Sequence, residues 1–159
     1  MPNEIYAELS NLCATQQHRE KKWLSGLRSA VFGLKDDLEK EFGVKNEPYI
    51  DCHDGFNKIR YVDIVDINER RINSQLEGTI DNNGVSTVDI HIALDSGLAS
   101  HVIWRFRINV RYSESGAQYA MVNKDGSSPI WLSGRAEFIG VLIQELIQEL
   151  KFDPLNRYK

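Results

Sequence analysis

The chain predicts an α+β domain of two layers, an antiparallel β-meander of five or six strands with N-terminal helices and a C-terminal helix packed on one face. Three observations predict it. Apolar residues recur at steps of three and four up to Leu38, the period changes to two after Pro48, and helical spacing returns from Phe138. Elements of that order, helices then a run of strands then a helix, build a sheet covered on its dry side. The 159 residues, 42% hydrophobic and 26% charged, suit one domain over 1–159, with helices about 3–42, a sheet about 49–132 and a last helix about 134–151.

In the first segment Ile5, Leu9 and Leu12 share one helical face. The polar stretch TQQHREKK follows, and then Trp23, Leu24, Leu27, Val31, Leu34 and Leu38 form a sustained stripe. Residues 13–18 contain neither Gly nor Pro, but the change of character there predicts two helices joined by a bend. Gly43, just after Phe42, marks the end of the second.

Among the strands, KIRYVDIVDI has apolar residues crowding both faces, as in a central or bulged strand. SQLEGTI and TVDIHIAL place Leu76, Ile80, Val88, Ile90, Ile92 and Leu94 on even positions. A two-residue Asn83-Gly84 turn would set Ile80 opposite Thr87 and part the two apolar sets, so the pattern selects a three-residue loop, Asn82-Asn83-Gly84, with Gly84 left-handed and Asp81 opposite Val85. Continuing that register sets Leu76 opposite Ile90 and Glu77 opposite Asp89. HVIWRFRINVRY turns Trp104, Phe106, Ile108 and Val110 inward, ESGAQYAMV continues the meander, and SPIWL reads as a short edge strand. The final stripe of Phe138, Val141, Leu142, Leu146 and Leu150, widened by Ile139, Ile143 and Ile147, predicts a heavily buried helix.

Charge and motif content narrow the function. A formal net charge of -4 is unlike a dedicated duplex-DNA binder. There is no apolar run of membrane-spanning length and no signal-peptide pattern at the start, so the expected compartment is the cytoplasm, with no membrane partner. Cys13 and Cys52 read as reduced thiols, and no phosphate loop, nucleophile elbow, HExxH or EF-hand pattern is present. No cofactor or metal is expected.

The reactive-looking cluster is DCHDG. Cys52 with His53 would be a nucleophile pair, and Asp51, His53 and Asp63 a hard metal site. Adjacent residues in an extended segment point to opposite faces, so Cys52 and His53 do not address each other, and Asp51 with His53 gives two ligands where catalytic zinc takes three. His91 and His101 flank a loop near Arg105 and Asp95, with surface roles expected for both. Gln144, Glu145, Gln148 and Glu149 are the polar side of the last helix.

The basic candidates are Arg105, Arg107 and Arg111 on one strand face and the run His18, Arg19, Lys21 and Lys22 before Trp23. The leading reading is a non-catalytic protein-binding module, of adaptor, chaperone-like, toxin-neutralising or inhibitor type, acting through a charged sheet face or helix surface. Arg105, Arg107, Arg111, Arg19, Lys21 and Lys22 are then its contact residues, and homodimerisation is compatible with it. The alternative is a protein that binds RNA or single-stranded DNA through the same cations. A small enzyme centred on Asp51, Cys52 and His53 is a further alternative. Registers that keep Trp104 and Phe106 inward bring Arg105 or Arg107 opposite Asp89, which makes them counter-charges within the sheet and leaves Arg111 the freest to meet a partner.

Overall fold

The computed structural model describes residues 1–51, 58–72, 75–95, 102–152 and 155. It is α+β, with two helices and two antiparallel sheets, of two and four strands. Helix α1, Glu4–Glu41, is continuous through the segment where a bend was expected. Its start is capped by Asn3, whose Oδ1 accepts from the Tyr6 amide at 3.0 Å. Thr15, a weak helix former, directs its hydroxyl to the Asn11 carbonyl four residues back, and nothing breaks the backbone ladder. Polar residues on every side remove the packing face but leave helix propensity intact.

Strands β1, Tyr49–Asp51, and β2, Lys58–Arg60, form a separate ribbon. The apolar run expected to be a central or bulged strand is divided at Tyr61, whose amide bonds to the Pro48 carbonyl, and its second part, β3, Val62–Val65, is an edge of the four-stranded sheet. That sheet continues with β4, Ser86–Leu94, β5, Val102–Ser113, and β6, Gly116–Met121, in sequence order.

SQLEGTI does not form the expected strand. Residues Glu77–Thr79 make one 3-10 turn, with the Thr79 hydroxyl on the Leu76 carbonyl at 2.6 Å, and Ile80 makes a single bridge to Ser86. Gly78 and the local threonine bond favour a turn over a ladder, and the place beside β4 is taken by the more apolar β3, which pairs Ile64 with Ile90 and Val65 with Asp89. Leu76 is buried all the same. The Asn82-Asn83-Gly84 loop is as expected, with Gly84 at φ 75° and the Asp81 amide on the Val85 carbonyl. SPIWL is likewise reduced to one bridge, Tyr119 with Leu132. Proline 129 has no amide to extend it.

The even residues of β3, β4 and β5, and the odd residues of β6, face the core. Val88, Ile90, Ile92, Phe106, Ile108 and Val110 meet Leu27, Val31, Leu34 and Leu38 of α1 and Phe138, Leu142 and Leu146 of α2, Arg135–Leu150. Tyr119 joins the layers, stacking on Phe138 with centroids 5.4 Å apart and donating its hydroxyl to the Ala30 carbonyl. Burial of α2 is narrower than its sequence suggests, since Val141 and Leu150 are exposed.

Candidate functional site

The outer face of the four-stranded sheet carries Arg105, Arg107 and Arg111 of the residues singled out for binding, and its register sets their neighbours in rows. Asp63, His91 and Arg105 lie side by side across β3, β4 and β5, and Val65, Asp89 and Arg107 form the next row. Of the two registers open for Asp89, the one realised sets it opposite Arg107. The guanidinium grips the carboxylate with two parallel bonds, Nε to Oδ1 at 2.8 Å and Nη2 to Oδ2 at 3.1 Å. Asp89 is 8% exposed at the side chain and Arg107 48%, so a buried carboxylate fixes a half-exposed cation.

A small returning hairpin supplies the remaining counter-charges. After β3, Asp66 accepts the Asn68 and Arg70 amides on Oδ1, a tight turn that brings Arg71 back to bridge Val65. Arg71 Nε then reaches Asp63 at 2.8 Å. Glu69, at φ 64° in the left-handed region that non-glycine residues rarely occupy, forms an ion pair with Arg105. The expected repulsion between Glu77 and Asp89 does not arise, because Glu77 lies off the sheet and pairs with Arg28 at 2.6 Å.

Arg111 is not the free cation that its distance from Asp89 suggested. Its guanidinium lies 4.0 Å from the centroid of the Trp131 ring and its Nε donates to Gln118 Oε1 at 2.7 Å. The segment that failed to become a strand thus provides its platform. Arg19, Lys21 and Lys22 stay exposed on α1, far in sequence from the arginines they were grouped with, and adjacent Trp23 donates its indole N–H to the Tyr112 carbonyl.

Together these elements leave a shallow hollow of about 370 Å³ lined by Ile67, Glu69, Asp89, Arg105, Arg107, Val122 and Lys124. Ile67, Val122 and neighbouring Ile103 are exposed large apolar side chains. Sequence reasoning missed Ile67, Glu69, Val122 and Lys124. The polar DINERR stretch carries the signal for the tight turn, but nothing local says where that turn folds.

His91 sits between Asp63 and Arg105 with its Nε2 buried and unpartnered among the described residues. Burial, and then the Arg105 charge, push its pKa below the ordinary 6.5, against smaller opposing effects of Asp89, Asp63 and Glu69. The folded state therefore binds fewer protons than the unfolded chain between the lowered value and 6.5, and the stability this neutral imidazole contributes is lost as pH falls through that window. NMR titration is expected to place His91 below 6.5, and Arg105→Ala to raise it only part of the way because burial remains. A full return to 6.5 would make Arg105 the main cause.

The enzyme-type candidates Cys52 and His53, and His101 of the histidine pair, lie outside the described residues. Asp63, third member of the notional metal set, is engaged by Arg71. No group of three metal-ligating side chains occurs among the described residues, and no described helix is long and apolar enough to cross a membrane. Fold and face define an α+β chain with a charge-paired antiparallel sheet. No family model, no curated protein and no solved structure matches it.

Proposed function

We propose that the chain is a non-catalytic protein-binding module that engages its partner through the outer face of the four-stranded sheet. The observation that carries this reading is the pair Arg105 and Arg107, each held by a carboxylate and bordered by exposed Ile67, Ile103 and Val122. Cations already fixed in place lose little side-chain entropy on binding, and arginine beside apolar surface is the composition of protein interfaces. The hollow brings Arg105, Arg107 and Lys124 against Glu69 and Asp89, a slight positive excess that suits a partner segment presenting a carboxylate next to apolar side chains. Adaptor, chaperone-like, toxin-neutralising and inhibitor roles all use such a face.

The same pairing counts against the nucleic-acid reading. Cations whose charge is already balanced release fewer counterions, and the aromatic platforms are engaged, Trp131 by Arg111 and the Trp23 indole by the Tyr112 carbonyl.

The test is affinity capture from the native host with and without nuclease, repeated with Arg105→Glu combined with Val122→Glu, which leaves the Asp89 pair intact. A nuclease-resistant protein partner is expected, with its affinity reduced at least about tenfold by the double variant, the effect of losing more than about 1.4 kcal/mol. Capture that nuclease abolishes would favour the single-strand reading, and capture indifferent to the double variant would remove the sheet face from consideration.

A further inference from the structure

Half of α1 has no tertiary partner among the described residues. Residues 1–22 are all exposed, and the first fully buried residue of the helix is Leu27. Nineteen helical residues, roughly 28 Å at 1.5 Å per residue, therefore stand clear of the packed body. Along this arm Ile5, Leu9, Leu12, Gln16, Arg19 and Trp23 follow alternating steps of four and three, the spacing of a coiled-coil seam. Its aliphatic members remain in water, Ile5 at 66%, Leu9 at 59% and Leu12 at 59% exposure, while Trp23 at the base is half-buried. An isolated helix of this length is marginal, because helices in proteins draw most of their stability from packing an apolar face.

The charge distribution says what would cover it. The tip of the arm carries Glu4 and Glu8, and its base carries Arg19, Lys21 and Lys22, interrupted only by Glu20. A second arm laid parallel would set acid beside acid and base beside base. One laid antiparallel sets the tip of each copy beside the base of the other.

We infer that two copies of this chain associate through their α1 arms as an antiparallel pair. The seam then places Leu9 against the aliphatic stem of Arg19 and Leu12 against Gln16, and brings Ile5 to the half-buried Trp23 at the base of the second arm, whose indole stays on the Tyr112 carbonyl. The flanking Glu8 faces Lys22, and the two-fold axis falls beside Cys13, an exposed free thiol. Only three of the six seam residues of each arm are aliphatic, so the pair dissociates on dilution. The inference is independent of the sheet-face reading, since it uses none of the same residues.

The experiment uses the full chain carrying Cys52→Ser. Sedimentation equilibrium in reducing buffer is expected to show the average mass rising with concentration from 18.2 kDa towards twice that value, and falling again at high salt. Treatment with diamide, which takes up two electrons and two protons from the pair of thiols, is expected to trap a dimer linked through Cys13. Leu9→Asp with Leu12→Asp should abolish both signals while the thermal transition of the body is unchanged, since both positions are exposed. Glu8→Lys should reduce trapping several-fold, and adding Lys22→Glu should restore it, because the two charges meet again across an antiparallel pair. A chain that stays at monomer mass throughout overturns the inference. So does a dimer that survives the double aspartate variant, or one that Glu8→Lys leaves untouched.

Discussion

Leu34→Ala is expected to lower the unfolding free energy by about 2–5 kcal/mol, read as a shift of the denaturation midpoint at unchanged denaturant slope. Leu34 has no exposed surface and lies where α1 meets the sheet and α2, so truncation leaves a cavity that rigid strands on one side and a long helix on the other cannot close. For a chain of this size each kcal/mol corresponds to about 2–4 °C in Tm. Leu9→Ala, the same substitution on the same helix, is expected to change stability by less than about 0.5 kcal/mol in protein dilute enough to be monomeric, because Leu9 is exposed. Equal effects at the two positions would mean that the arm packs on the body in solution.

The second large effect concerns the Asp89–Arg107 pair. Arg107→Ala is expected to cost on the order of 1–3 kcal/mol, the penalty for leaving a buried polar group without its partner, even though the arginine itself is half exposed. What is lost is the compensation of Asp89. Adding Asp89→Leu to Arg107→Met should recover most of the stability, since a buried ion pair is seldom more stable than an apolar pair of similar volume. A thermodynamic cycle over the single and double variants checks this. Strictly additive losses would show that the two side chains act separately and that the bidentate contact does not hold Arg107 in place. The apolar double variant also bears on the proposed function, because it keeps the fold while removing the Arg107 guanidinium, together with its carboxylate, from the hollow. Partner affinity is expected to fall in it although stability is nearly restored.

How much of this was legible beforehand follows from the range over which each signal acts. The loop Asn82-Asn83-Gly84 is readable because turn geometry is settled within a few residues and, of the two-residue and three-residue turns, only the longer keeps both apolar sets on one side. The strand assigned to SQLEGTI failed because two even-spaced apolar residues satisfy a strand and a buried turn equally well. Burial of Leu76 without a ladder is the outcome that the spacing could not tell apart. The bend placed near residues 13–18 failed for a related reason. Loss of the apolar stripe was read as loss of the helix, whereas a helix needs only its backbone bonds, its propensities and a cap.

Periodicity determined by itself that Val88, Ile90, Ile92, Phe106 and Ile108 share the inner side of a sheet and that the arginines of β5 share the outer side. Alternation of side chains along a strand is a property of the backbone and needs no knowledge of neighbours. Only the tertiary structure decided what lies against each face. It carried Glu77 away to Arg28, returned Arg71 and Glu69 to Asp63 and Arg105, set Trp131 under Arg111 and left Ile5, Leu9 and Leu12 exposed. Apart from Arg71 with Asp63, those contacts join residues distant in the chain, and each depends on how a loop closes. A sequence pattern fixes which side chains stand together on a surface, while the surface opposite is chosen by the fold of the whole chain.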